Sequence, residues 1–159
     1  MARGQTQARS AGLLLYREGP DGREVLLVHP GGPFWTRRDQ GAWSIPKGAY
    51  ASDEEPLAGA RREFEEELGT APPDGDVLDL GEITQKGGKR VHAWALAGDL
   101  DVSKATSNTF AVEWPPRSGQ FRQFPEVDRA EWFSLEVARQ KINPAQAELI
   151  DRLEAALDS

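Results

Sequence analysis

Short apolar runs separated by turn-forming residues characterise the first part of the chain. The segments "AGLLLY" (11–16) and "REVLLVHP" (23–30) are largely apolar, and "REGPDG" lies between them. Runs of this length bounded by glycine and proline are typical of buried strands. We therefore predict two strands joined by a turn, preceded by a flexible polar tail over residues 1–10.

The middle of the chain alternates loops with further strands. We predict a long loop over "GGPFWTRRDQGA" (31–42), followed by a short strand at "WSI" and then by "PKG". Residues 76–85 and 90–100 flank "KGGK" and predict a hairpin whose glycines form the tight turn. Another strand is predicted over 109–114, and a long loop over 115–130 leads to the last strand, "EWFSL".

Three helices complete the predicted elements. The first spans residues 56–68, where proline occupies the first position and a glycine follows as the C-terminal stop. The second is predicted around 134–141, and the third begins at Asn143 and Pro144 and ends near Leu157. Strands mixed with three unevenly spaced helices favour an α/β fold in which a mixed sheet lies between helices.

Composition narrows the class of protein. The 159 residues contain no cysteine, which excludes disulfides, a thiolate nucleophile and a zinc–thiolate site. His29 and His92 are far apart in sequence, which argues against a histidine-rich metal site. No apolar run is long enough to span a bilayer, so a cytoplasmic protein without membrane association is the simplest interpretation. The chain fits one domain over residues 11–159.

Net charge limits the partners that the chain can bind. Its formal charge of −7 argues against non-specific binding of nucleic acid. An acidic protein that handles a polyanion would need metal ions to mediate the contact. The pattern does not fix an oligomeric state.

Carboxylates are concentrated near the end of the first predicted helix, in "EFEEE" (63–67). Glu63, Glu66 and Glu67 stand at i, i+3 and i+4, so they share one face. Like charges at this spacing cost about 0.2–0.5 kcal/mol each, and the helix dipole opposes them further. A bound divalent cation would offset these costs, although charge runs are more often a solvated surface.

The surroundings of the acidic run resemble the Nudix box, the motif of the Nudix hydrolases. Residues 48–70, "GAYASDEEPLAGARREFEEELGT", match G-x5-E-x7-R-E-U-x-E-E-x-G-U at every charged and glycine position, and only Thr70 departs from it. The resemblance extends over about residues 10–155 and implies the Nudix fold. It also implies hydrolysis of a nucleoside diphosphate linked to another group, with Mg²⁺ or Mn²⁺ and water.

The resemblance implies roles for individual box residues. The metal-binding carboxylates would be Glu63, Glu66 and Glu67, with Glu63 also orienting or deprotonating the attacking water. Arg62 would pair with a neighbouring carboxylate and hold its rotamer. Gly48 would allow the backbone to come close to the metal, where a side chain would obstruct it.

Residues outside the box are candidates for supporting chemistry. Many family members use a further carboxylate as base or ligand, and Glu126 in "FPEVDRAEWF" is the candidate here; a surface acid is the equal alternative. Asp128 and Glu131 are weaker competitors. Lys47 in "PKG" would contact phosphate rather than serve only as a surface lysine.

The long loop supplies candidates for contacts with a nucleotide. Arg37 and Arg38 could receive distal phosphates, and Trp35, with Phe34, could stack on a base. The alternative for these rings is packing against the core.

The substrate class is indicated mainly by "PKG", which resembles that of enzymes acting on nucleoside triphosphates and dinucleoside polyphosphates. The features associated with ADP-ribose and NADH hydrolases are missing, and so is the downstream tyrosine of many diadenosine polyphosphate enzymes. We therefore expect a small-molecule nucleotide substrate. The alternatives are removal of pyrophosphate from RNA 5′ ends, a non-catalytic nucleotide-binding module, and an acidic structural domain that binds Ca²⁺ or nothing.

Overall fold

The computed structural model describes residues 9–159, and its elements agree with most of the predicted ones. In chain order they are β1 (Arg9–Gly19), β2 (Gly22–Pro30), β3 (Lys47–Ala49), α1 (Pro56–Leu68), β4 (Val77–Thr84), β5 (Arg90–Ala97), β6 (Thr109–Glu113), β7 (Phe121–Pro125), β8 (Val127–Ser134), α2 (Leu135–Lys141) and α3 (Ala147–Asp158). The predicted tail is wrong at residues 9 and 10, which belong to β1, and its residues 1–8 lie outside the described part of the chain. Within residues 9–159, no helix is long and apolar enough to cross a membrane.

The main sheet is mixed, as predicted. Its strand order is β4-β5-β1-β2-β8, and β3 pairs with the first half of β1. Strands β1 and β5 are parallel, whereas the other pairs in this sheet are antiparallel. The central strand β1 therefore has neighbours on both sides and is long enough to hold both β2 and β3 along one edge.

Helices cover both faces of this sheet. Leu14 packs on the face covered by α2 and α3, and Leu13 and Leu15 pack on the opposite face, covered by α1. All three leucines are fully buried, and burial of each contributes about 1.5–3 kcal/mol. The continuous apolar run in β1 thus reflects burial on two faces, and the predicted sandwich of a mixed sheet between helices is confirmed.

The predicted loop over 115–130 is wrong in part, because it contains β7. This strand pairs with β6 as a separate two-stranded sheet, with Phe110 opposite Phe124. Most of its residues are exposed, so it lacks the buried alternation by which strands are recognised in a sequence. The last strand, β8, also begins earlier than predicted, at Val127, where single buried residues stand among charged ones.

Two further elements are shorter than predicted. The segment "WSI" makes only isolated bridges, from Trp43 to Ile142 and from Ser44 to Val28, since the following proline cannot continue a hydrogen-bonded ladder. Asn143 caps a 3-10 turn, its side chain accepting a hydrogen bond from the Ala145 N–H at 2.9 Å, and α3 follows this turn.

Helix α1 has the predicted bounds. Its C-terminal cap is Gly69, whose φ of 75° is left-handed and whose N–H donates to the Glu65 carbonyl. The buried residues of the helix are Gly59, Ala60, Phe64 and Leu68. This apolar side faces the sheet, and the carboxylates are left toward β3 and the loops beside it.

Candidate active site

Pairing of β3 with β1 brings the start of the acidic motif against helix α1. Gly12 pairs with Lys47, and Ala11 pairs with Gly48. A methyl group at Gly48 would lie 2.0 Å from Oε1 of Glu63, so the position admits no side chain while Glu63 stays in place. The Gly48 backbone therefore lies against the Glu63 carboxylate, and its approach to a metal remains a prediction.

Arg62 is the centre of a network of carboxylates. Its Nε and Nη2 donate to the two oxygens of Glu54 at 2.9 and 3.0 Å. Its Nη1 donates to Oε2 of Glu63 at 2.8 Å and to Oε2 of Glu66 at 2.7 Å, and Nη2 also donates to the Ala49 carbonyl at 3.1 Å. The bonds to Glu54 contribute most to raising the pKa of Arg62 above its usual range. The predicted pairing of Arg62 with a carboxylate is present, and it extends to three of them.

This arginine changes how the charge of the helix is balanced. The sequence predicts that a divalent cation among Glu63, Glu66 and Glu67 offsets their repulsion. Arg62 also contributes to this balance through its bonds to Glu63 and Glu66. In the part of the chain that the structure describes, no three carboxylate or imidazole groups are arranged to hold a metal ion. The ligand roles of the three residues remain a prediction.

Glu67 interacts with Lys47. The pKa of the Glu67 carboxyl is raised to about 8, mainly by burial and also by the nearby anions Glu63 and Glu126, against the attraction of Lys47. Burial likewise lowers the pKa of Lys47, against the opposing effect of Glu67. For both groups, burial changes the pKa more than their mutual attraction does. Burial also raises the pKa of Glu63.

Glu126 joins Lys47 and Glu67 in the wall of one cavity. The cavity has a volume of about 160 Å³, and its wall comprises Val28, Pro30, Ser44, Lys47, Glu67, Glu126 and Val127. The Glu126 N–H donates to the Asn108 carbonyl at 2.8 Å, and the Asn108 N–H donates to the Glu66 carbonyl at 3.1 Å. Backbone contacts thus fix Glu126 beside the end of α1, where the sequence indicated only a loop.

A second cavity shares Glu67 and Val127 with the first. Its volume is about 240 Å³, and its wall includes Ser103, Asp128, Arg129 and Glu131. Asp128 and Glu131, the weaker candidates for the further carboxylate, therefore lie in a different wall from Glu126. Asp128 is also hydrogen-bonded to His29, at 2.8 Å.

The loop over residues 31–42 leaves its polar and aromatic side chains exposed. Arg38 lies over the Trp35 ring, 5.6 Å from its centroid. Trp35 and Phe34 are 39% and 62% exposed, so packing of these rings against the core is excluded. Arg37 is also exposed. Trp35, Arg37 and Arg38, the three predicted nucleotide contacts, line neither of these two cavities. The start of the loop is nevertheless bonded to the site, because the Gly31 N–H donates to the Glu126 carbonyl at 3.0 Å.

Two buried polar residues near the site were not identified from the sequence. His29 is 1% exposed and bonds to Asp128 and to the Arg38 carbonyl. Gln146 is fully buried; its Oε1 accepts from the Ile45 N–H, and its Nε2 donates to Oγ of Ser44. The burial of His29 could have been predicted from its place at the end of the apolar run "LLVH". Nothing in the local sequence indicates that Gln146, a glutamine beside a helix start, is buried.

Comparison with known proteins gives a family model and relatives that match this chain. A family model described as the NUDIX domain matches residues 6–153. An RNA pyrophosphohydrolase from Alkalilimnicola ehrlichii is 41% identical over 56 residues, which cover 34% of this chain and 31% of that protein. The matches to curated relatives cover 30% to 36% of those proteins' own length.

Solved structures show the same fold. An Ap4A hydrolase from C. elegans, in a binary complex, superposes with a TM-score of 0.64 and 22% identity, over 95% of this chain and 98% of that one. The NUDIX domain of NrtR from Shewanella oneidensis, in complex with ADP ribose, gives a TM-score of 0.65 and 16% identity, over 98% and 94%. At such identities the likeness concerns the fold.

Proposed function

Because this chain belongs to the Nudix family, we propose that it is a divalent-metal-dependent pyrophosphohydrolase. Its substrate would be a nucleoside triphosphate or a dinucleoside polyphosphate, cleaved at a phosphoanhydride bond by water. One observation supports the proposal above all: Glu67 of the box lies in the same cavity wall as Lys47 and Glu126, which are outside the box. Glu63, a neighbouring charge of Glu67, lies against Gly48.

The residues present suit a hard cation such as Mg²⁺ or Mn²⁺. Carboxylate oxygens are the ligands that these ions prefer. Arg62 contacts Glu63 and Glu66 through Oε2 of each, which leaves their Oε1 atoms to serve as ligands. Glu63, Glu66 and Glu67 would hold the metal, with the Gly48 backbone close by. When bound, the metal would neutralise phosphate charge and lower the pKa of a coordinated water.

The side chains would divide the remaining work. Glu63 would orient the water and accept its proton as the water oxygen bonds to phosphorus and the P–O anhydride bond breaks, leaving the electron pair on the departing phosphate. Glu126, fixed beside Glu67, is the alternative base. Arg62 would hold Glu63 and Glu66 in their rotamers through the Nη1 bonds. Lys47 would contact the polyphosphate, and positioning of this kind supplies a large part of the rate.

Residues of the 31–42 loop would contact the remainder of the nucleotide. Arg37 and Arg38 carry exposed charge suited to distal phosphates. The exposed Trp35 ring would stack on a base, in the manner of aromatic residues at nucleotide sites.

A second candidate substrate is the triphosphorylated 5′ end of RNA. The RNA pyrophosphohydrolase from Alkalilimnicola ehrlichii favours it, being 41% identical over 56 residues. The net charge of −7 opposes it, since a long RNA would meet a repulsive surface. A module that binds nucleotide without cleaving it is disfavoured because Glu63, Glu66 and Glu67 are all present.

A panel of substrates tests the proposal. The purified chain would be incubated with Mg²⁺ and separately with the four NTPs, diadenosine tetraphosphate, triphosphorylated RNA, ADP-ribose and NADH. We expect turnover of an NTP or of diadenosine tetraphosphate, with product analysis in ¹⁸O-water showing the attacked phosphorus. Tight binding of one member without turnover of any would replace hydrolysis with nucleotide sensing, and absence of binding would favour a structural domain.

A matched pair of variants tests the carboxylates. Glu67→Gln should lower kcat by about a hundredfold or more, since it removes a proposed ligand from the cavity wall. Glu65→Gln changes the same residue type at an exposed position of the same helix and should leave kcat within about twofold. Equal activity of the two variants would rule out the proposed role of Glu67.

A further inference from the structure

His29 is a buried histidine with a hydrogen-bond partner on each side of its ring. Its Nδ1 lies 2.8 Å from Oδ1 of Asp128, and its Nε2 lies 2.6 Å from the carbonyl oxygen of Arg38. The side chain is 1% exposed, and the edge of the Trp43 ring packs beside it at a centroid distance of 5.1 Å. Water therefore has little access to either nitrogen.

The two partners account for both nitrogens of the ring. A backbone carbonyl can only accept, so Nε2 donates to the Arg38 carbonyl. The other nitrogen, Nδ1, is hydrogen-bonded to the carboxyl group of Asp128. Each polar atom of this buried side chain therefore has a partner, one in the loop and one in β8.

The ring connects two separate parts of the site. Asp128 belongs to β8, two residues after Glu126, while Arg38 belongs to the loop over residues 31–42. Two other charged groups contact Trp43, which packs against His29. The Arg129 guanidinium lies 5.0 Å from the centroid of the indole, and the indole N–H donates to Oδ1 of Asp39. Asp39 also accepts from Lys141 of α2. Among these groups, His29 alone bonds directly to both the loop and β8.

We propose that His29 is a positioning residue, hydrogen-bonded between Asp128 and the Arg38 carbonyl, which fixes the 31–42 loop in the orientation that binds substrate. The inference rests on the proposed function, because Trp35, Arg37 and Arg38 are the loop contacts assigned there. It assigns His29 no contact with substrate. Its loss should therefore weaken substrate binding more than it slows the chemical step.

Ring protonation can be measured directly because the chain has only two histidines. His92→Gln leaves His29 as the sole imidazole, and a long-range ¹H–¹⁵N spectrum at pH 7 then reports both of its nitrogens. We expect a proton on Nε2, because this nitrogen donates to the Arg38 carbonyl. A ring that carries its proton on Nδ1 alone would overturn the proposal.

Loop order and kinetics test the consequence. Glutamine at position 29 presents a donor at one end and an acceptor at the other, so His29→Gln loses one of the two bonds. We expect faster hydrogen exchange of the loop amides of Arg38 and Ala42. KM for the accepted nucleotide should rise about tenfold, the equivalent of one charge-assisted hydrogen bond, with kcat within about twofold. His92→Gln, which alters a residue outside the loop, is the matched control and should match the wild type.

The outcomes separate this proposal from the proposed function. Unchanged loop exchange in His29→Gln, or a fall in kcat with KM unchanged, would overturn the positioning role. If no nucleotide is turned over, the hydrolase proposal fails, whereas the nitrogen spectrum and the loop exchange still decide the role of His29.

Discussion

Arg62 resolves a conflict that the residues around it create. Helices disfavour clustered anions near the C-terminus, yet Glu63 and Glu66 are stabilised here because one guanidinium nitrogen contacts both. The same nitrogen holds them at distances fixed by the planar arginine fork, which lysine does not reproduce. Local neutralisation by Arg62 thus keeps the cluster compatible with folding before any cation binds.

Glu67 is the residue whose protonation should report metal binding. Its pKa is raised to about 8, so at pH 7 the carboxyl of the metal-free protein is mostly protonated, whereas a ligand must be ionised. We predict that Mg²⁺ binding releases protons at pH 7 and releases fewer as the pH rises above 8. Calorimetry in two buffers of different ionisation enthalpy measures the released protons, and Glu67→Gln should abolish most of the release.

The same shift predicts how stability varies with pH without metal. The unfolded carboxyl has the ordinary pKa of 4.5, so between pH 4.5 and 8 the folded chain binds more protons than the unfolded one. The contribution of Glu67 to the free energy of unfolding therefore falls as pH rises through this window. Two results together would contradict both predictions. Mg²⁺ would bind without releasing protons, and Glu67→Gln would leave the pH dependence of the free energy of unfolding unchanged. The Glu67 carboxyl would then already be ionised at pH 7.

At the scale of elements, Gln146 connects the start of α3 with the segment before β3 and with the end of β4. Its side chain bonds to Ser44 and Ile45, which precede Lys47. Its Nε2 also donates to Gln85, the residue after β4. This fully buried amide satisfies the buried Ile45 N–H and the partly buried side chains of Ser44 and Gln85. The short segment before β3 therefore depends on a helix about a hundred residues away in sequence.

We predict that Gln146→Leu lowers the free energy of unfolding by about 1–3 kcal/mol, because it leaves the buried Ile45 N–H without its hydrogen bond. Urea denaturation measures this loss. The control is Gln140→Leu, at an exposed position of α2, which should change stability by no more than about 0.5 kcal/mol. A similar loss in both variants would show that the buried hydrogen bonds are not its cause.

The elements that could be predicted from the sequence are those with strong local patterns. Helix α1 was bounded by its proline and glycine and by an apolar stripe, and β1 and β2 by continuous apolar runs. Strand β7 was missed because pairing with β6, not burial, makes it a strand. In the site, the box residues follow from a fixed spacing, but the contacts of Glu126 and His29 depend on long-range packing that local pattern does not encode.

At the scale of the whole molecule, the two cores determine where the chemistry can lie. Helices cover both faces of the main sheet, so the cavity with Lys47 and Glu67 lies beside the end of α1, next to β3 and the start of the 31–42 loop. The short two-stranded sheet of β6 and β7 leads directly into Glu126. Segments distant in sequence thus meet in one cavity wall, as the proposed polyphosphate site requires.

The charge of the whole molecule distinguishes the two candidate substrates. A net charge of −7 repels the phosphates of an RNA chain beyond its 5′ end, whereas contacts confined to the triphosphate are local. We predict that kcat/KM for triphosphorylated oligonucleotides does not rise as they lengthen from two to ten nucleotides at low salt. Steady-state kinetics of the series, with ATP as reference, measures this. A kcat/KM that climbs with length and falls steeply with added salt would instead indicate a basic track for RNA, and the preference for small nucleotides would be wrong.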